Sequence, residues 1–133
     1  MAGYADKSLV EKLGLKDGMS TFFSHAPTEY FEALGQRHLT FRPDDDGVFE
    51  FIHAFFTDKA QLEASGGILT SKLADKGILW VSWPKQTSGV KTDITEQVLR
   101  DVLLPLGVVD VKVCAVTDVW SGLKFIWRTV VSD

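Results

Sequence analysis

The stretch 83–92 gathers Trp83, Lys85, Gln86, Thr87, Ser88, Gly89 and Lys91 directly ahead of a segment with helix-starting spacing. Two cations, two hydroxyls and a glycine before a helix N-terminus are the parts of an anion or phosphate cradle. The first turn of a helix offers unpaired N–H groups and the positive end of the macrodipole. The same composition also makes an ordinary solvated loop turned by Ser88-Gly89, and no glycine-rich phosphate signature accompanies it. A second candidate is His25 beside Ser24, just past an apolar run over residues 19–23. An imidazole there can serve as acid or base, or simply flank a helix as a polar residue. Trp83 and Trp120 both fall at strand ends, where two indoles can wall a pocket for a planar ligand or cap the core. The expected site is therefore Ser24, His25, Trp83, Lys85, Ser88, Lys91 and Trp120. Lys85 and Lys91 would hold an anionic group and the tryptophans a planar or apolar one.

Other chemistries find little footing. His25, His38 and His53 are scattered without metal-ligand spacing. His53 lies in the most apolar segment and reads as a core histidine. Cys114, among Val111, Val113 and Val116, reads as an inert core thiol. Asp44, Asp45 and Asp46 follow Pro43 and precede Gly47, a turn composition with no ligand spacing for a divalent ion. No G-x-S-x-G elbow occurs. A dinucleotide fingerprint is missing as well. After the first strand the chain reads Ser24-His25-Ala26-Pro27-Thr28, with no glycine before Gly35, so a pyrophosphate or adenosyl group there would meet side chains.

The elements that must position these residues alternate in kind. Ser8 and Glu11 have capping-box spacing for a first helix that Gly14 closes. Residues 19–23 form a strand, Pro27 opens a helix striped by Tyr30, Phe31 and Leu34, and 39–41 form a weak strand. Residues 48–56, polar only at Glu50 and His53, read as a strand buried on both faces at the centre of a parallel sheet. A helix over 58–75 follows, with Gly66-Gly67 expected to weaken or split it. Residues 78–83 form the next strand, and Asp93-Ile-Thr-Glu96 caps a helix that Pro105 and Gly107 end. Strands over 108–116 and 123–131 close the chain as an antiparallel hairpin. The order implies an α/β fold, a three-layer Rossmann-like sandwich with a mostly parallel sheet and a C-terminal antiparallel hairpin. Ligands of such folds bind at the carboxyl ends of the strands, where Ser24-His25, Thr57-Asp58 and Trp83-Pro84-Lys85 fall. Residues 125–131 are apolar on both faces for much of their length. They must be internal to the sheet or covered by a partner, as in a homodimer.

Composition limits the classes. The 133 residues are one domain's length, and 45% apolar with 24% charged residues is ordinary for a globular chain. Fourteen basic and eighteen acidic residues give a net charge of −4. That balance speaks against nucleic-acid or anionic-membrane partners. No apolar run reaches the ~18 residues of a membrane span, and the polar opening over 1–17 lacks a signal-peptide core. The lone cysteine fits a reducing cytoplasm.

Three motifs, Leu79-Trp-Val-Ser-Trp-Pro-Lys85, Val111-Lys-Val-Cys-Ala-Val116 and Trp120-Ser-Gly-Leu-Lys-Phe125, occur with the opening Lys12-Leu-Gly-Leu-Lys16. Together they resemble a family of small bacterial proteins known only as a domain of unknown function. The arrangement is also similar to a shortened class I methyltransferase fold, whose members bind S-adenosylmethionine over a glycine-rich turn after the first strand. This chain departs from that pattern at the turn, and it is shorter than a usual catalytic domain of the class. The resemblance implies a degenerate methyltransferase-like scaffold that binds a small anionic or planar ligand, or a protein partner, without catalysis. Two alternatives stand beside it. One is a minimal S-adenosylmethionine-dependent methyltransferase with Asp44–Asp46 near the ribose; the other is a structural subunit that forms homo-oligomers.

Overall fold

The computed structural model describes residues 8–35, 40–41 and 47–128. Expectations that fall on His38, on Asp44–Asp46 and beyond residue 128 lie outside the described residues.

Four helices and six strands occur among them: α1 (Leu9–Leu13), β1 (Ser20–Ser24), α2 (Thr28–Leu34), β2 (Thr40–Phe41), β3 (Phe49–Phe55), α3 (Lys59–Ser71), β4 (Leu73–Pro84), α4 (Glu96–Leu103), β5 (Val108–Ala115) and β6 (Trp120–Trp127). The strands make one sheet in the order β2-β1-β3-β4-β6-β5. Pairs β1–β2, β1–β3 and β3–β4 are parallel, whereas β4–β6 and β5–β6 are antiparallel. The sheet is thus mixed, and "mostly parallel" holds only for its first four strands. The hairpin supplies the difference, because β6 turns back and inserts between β4 and β5. Residues 125–127, the start of the run that is apolar on both faces, are therefore internal to the sheet.

Helices cover both faces. On one, Leu62 and Leu69 of α3 and Leu99 and Leu103 of α4 pack on Ile52, Ala54, Leu79, Val81, Leu123 and Phe125. On the other, Val10 and Leu13 of α1 and Tyr30 and Leu34 of α2 pack on Phe51, Phe55 and Trp80. Full burial of each leucine stabilises by about 1.5–3 kcal/mol. Buried polar groups are tied down as well: the Trp80 indole Nε1 donates to the Leu13 carbonyl at 2.8 Å, fastening α1 to the sheet.

Local differences from expectation have local causes. Helix α3 is continuous through Gly66-Gly67, and Gly66 faces the packing, where a Cβ would come within 3.1 Å of Leu106 Cδ1. The missing side chain admits the 3-10 turn that follows α4. Strand β4 begins at Leu73, so α3 stops at Ser71 rather than running on to 75. Leu73 pairs Phe49 and Ile78 pairs Phe51, leaving a bulge between them. Gly77 fits there because a Cβ would come within 3.0 Å of the Phe49 carbonyl oxygen. Helix α4 starts at Glu96 with Thr95 as its N-cap, its hydroxyl accepting from Val98 N at 3.2 Å.

Candidate functional site

The carboxyl ends of β1, β3 and β4 lie side by side, carrying Ser24-His25, Phe56-Thr57-Asp58 and Pro84-Lys85. From β1 the chain moves to β2 on one side and then to β3 on the other, so the topological switch point lies between β1 and β3. Crossovers leave that point in opposite directions and open a crevice, the preferred ligand position of such sheets. His25 stands there. At φ 59 it is the one non-glycine residue with left-handed backbone among the described residues. Its side chain is exposed, with its ring centroid 6.2 Å from that of buried Phe56. A non-glycine residue held left-handed costs on the order of 1 kcal/mol, and such strain clusters at functional sites.

One strand further on, an open cleft of about 710 Å³ lies between the loops that follow β3 and β4. Thr57, Asp58, Gln86, Val90, Lys91 and Asp93 are among the residues lining it. Of the expected site residues, Lys91 lines this cleft and is exposed. Lys85 and Ser88 stand in the same loop but serve its shape. Lys85 N donates to the Val119 carbonyl at 2.8 Å. The Ser88 hydroxyl donates to the Lys85 carbonyl at 2.7 Å and accepts from Val90 N at 3.1 Å. A single 3-10 turn over Gln86–Ser88, closed by Gly89 at φ 82, shapes the loop, in keeping with the reading of Ser88-Gly89 as its turn.

The two indoles are not brought together. Trp83 packs with the α3/α4 face and is 8% exposed. Trp120 packs with the other face, edge-on to Phe55 at 5.2 Å. Strand alternation forces this: Trp120 pairs Pro84, and neighbouring Trp83 points the opposite way.

The cleft's carboxylates are already engaged. Asp58 Oδ1 accepts from Ala60 N at 2.9 Å, and Asp93 Oδ1 accepts from Lys59 N at 2.7 Å. Both cap α3. Asp93 was expected to open α4 by its spacing to Glu96, but Thr95 takes that place. The bond from Asp93 to α3 joins residues far apart in sequence, which no local pattern reveals. Asp58 is legible in the sequence as the residue ahead of α3, and Thr57 and Gln86 as residues of the two loops; that these loops form one cleft with Lys91 depends on the pairing of β3 with β4.

His53 lies in the core. Nδ1 is 2.9 Å from the Tyr30 hydroxyl, Nε2 is 2.7 Å from Ser82 Oγ, and the ring stacks on Phe55 at 4.3 Å. Burial pushes the His53 imidazole well below its ordinary value and the Tyr30 phenol up, so both are neutral near pH 7. Burial likewise raises the Cys114 thiol. Among the described residues no three His, Cys, Asp or Glu are grouped to hold a metal ion, and no helix is long and apolar enough to cross a membrane.

No protein-family model matches the chain, and no curated protein matches it by sequence. Solved structures do match. A S-adenosylmethionine-dependent methyltransferase from Aquifex aeolicus is similar with a TM-score of 0.61 at 12% identity, over 88% of this chain and 86% of that one. The N-methyltransferase NodS from Bradyrhizobium japonicum gives 0.60 at 12% identity, over 91% and 93% of the two chains. Magnesium protoporphyrin IX methyltransferase from Synechocystis, with bound S-adenosylmethionine, gives 0.58 at 12% identity, over 90% and 74%. The chain shares its α/β fold with these methyltransferases.

Proposed function

We propose that this chain is a methyltransferase-type domain that takes an S-adenosyl compound at the crevice between β1 and β3. The observation that carries this reading is the left-handed backbone of His25 at the switch point of a sheet whose fold such enzymes share. A turn that approaches a cofactor closely uses left-handed positions of this kind, which glycine usually fills. An adenosyl group would lie against this backbone, and the His25 ring is the side chain that would have to move to admit it. Bound there, S-adenosylmethionine supplies an electrophilic methyl group. Ser24, Ala26 and the His25 backbone would hold it. Lys91 and Gln86 in the adjoining cleft would orient the acceptor, with Lys91 pairing an anionic group on it and Lys85 reinforcing the local positive charge. The Asp58 and Asp93 carboxylates each have an oxygen engaged by a helix amide, so they steer by charge and shape the cleft floor.

The glycine-free turn favours a second reading, a non-catalytic ligand-binding module on the same scaffold. One titration separates the two. Saturation with S-adenosylmethionine or S-adenosylhomocysteine at ~100 times the dissociation constant stabilises a native state by about 2.7 kcal/mol. A melting-temperature rise of several degrees with these compounds, together with methyl transfer to an added acceptor, supports the enzyme. Binding without transfer supports the module. No shift with either compound would sink the adenosyl reading.

A further inference from the structure

The crevice at the switch point is the position where sheets of this topology take their ligands, yet the open cleft lies one strand away, between β3 and β4. Between β1 and β3 the structure instead holds an aromatic pair. Ser24 of β1 pairs Ala54 of β3, and the next residues beyond the two strand ends bring His25 toward Phe56. The imidazole and phenyl planes are inclined at 35°, an offset contact rather than an edge-on one. Phe56 is 1% exposed and fixed in the α3/α4 core, whereas His25 is exposed and has no hydrogen bond among the described residues. The fixed phenyl is thus a seat, and the imidazole is the removable part. The backbone beneath it is strained in the left-handed region, where glycine would be free of strain.

We infer that His25 is a side-chain plug of the β1/β3 crevice, which weakens without abolishing the binding of a ligand that lies against the turn 24–26, and that this residue sets the domain's affinity for adenosyl compounds. The inference rests on the adenosyl reading above. The plug acts by occupying space, so removing the ring has the opposite effect to removing a ligand contact.

The test titrates S-adenosylhomocysteine into the native chain, His25→Gly and His25→Ala by calorimetry, with melting temperatures measured in parallel. A plug predicts that His25→Gly binds at least tenfold more tightly than the native chain. His25→Ala, which retains a Cβ and the strained backbone, falls between them. His25→Gly should also melt no lower than the native chain, because the left-handed strain is relieved, so a folding defect is visible as such; His25→Ala then carries the comparison of affinities. Native and variant chains binding equally would overturn the plug and leave the adenosyl reading standing. Weaker binding by both variants would overturn it in favour of His25 as a direct contact. If all three chains stay unbound at millimolar ligand, the plug and the adenosyl reading fall together.

Discussion

His53 and His25 belong to neighbouring segments of the same sheet and differ in every physical respect. His53 sits mid-strand, fully buried, with both ring nitrogens hydrogen-bonded and its face stacked on Phe55. His25 sits past the end of a strand, exposed, on strained backbone, with one aromatic neighbour. The first is a polar residue that the fold has fully satisfied. It ties α2, through Tyr30, to β3 and, through Ser82, to β4. The second is a residue for which the fold provides little and whose backbone costs stability. Burial with complete partnering marks structure, whereas exposure with strain marks the edge where chemistry is expected.

The contrast breaks most visibly at its buried end. His53→Leu removes the partner of both Tyr30 and Ser82 and leaves two buried hydroxyls unpaired. Each unpaired group costs roughly 1–3 kcal/mol, so a loss of about 3 kcal/mol and a melting point roughly 10 °C lower are expected. A loss below about 1 kcal/mol by urea denaturation would mean that the network does not hold the sheet to α2.

Gly122 sharpens the same point from the opposite strand. It pairs Ser82, and a Cβ there would come within 3.1 Å of Ser82 Oγ, 3.1 Å of Trp80 Cε3 and 3.0 Å of Val116 Cγ2. Gly122→Ala therefore pushes Ser82 away from His53, at about 2 kcal/mol for overpacking. An alanine tolerated without loss would show that Ser82 can shift and still keep its bond.

These two residues also mark how far the sequence could be read. His53 was legible as a core histidine because its neighbours Phe51, Ile52, Ala54 and Phe55 are apolar on both sides. Its partners were not, since Tyr30 and Ser82 are 23 and 29 residues away. The α/β alternation and the hairpin followed from local spacing. The insertion of β6 between β4 and β5 depends on pairing between distant strands, although the apolar run that begins at Phe125 hinted at it. At the edge, the placement of residues 24–25, 57–58 and 84–85 at the carboxyl ends of three strands was legible from the alternation of elements. The opposite facing of Trp83 and Trp120 depends on register, and a one-residue difference in register reverses a side chain's face. Asp93 gives the same lesson, because local spacing assigned it to α4 and the fold gives it to α3.

The buried histidine should also leave a pH signature. Its folded-state value is depressed by burial, so the unfolded chain takes up a proton below about pH 6.5 that the native chain refuses. Stability from this group is complete above that value and is lost as the pH falls, by about 1.4 kcal/mol per unit at most. Between pH 7.5 and 5.5 the native chain should lose about 1 kcal/mol more than His53→Gln, measured as urea unfolding at both pH values. Parallel losses in the two chains would mean that His53 accepts its proton without unfolding.

The smallest effects belong to the cleft, where the comparison predicts a division between carboxylates and lysines. Asp93→Ala strips the acceptor from Lys59 N at the start of α3 and should cost about 1 kcal/mol, the usual worth of a helix cap. Lys91→Ala and Lys85→Ala remove side chains with no hydrogen-bond or ion-pair partner among the described residues, and each should change stability by less than about 0.5 kcal/mol. The same lysine variants should weaken binding of an anionic ligand while the melting temperature stays put. A melting-temperature loss in step with the loss of affinity would move both lysines to the structural side with His53, and the cleft would then be a surface feature of the loop rather than a site.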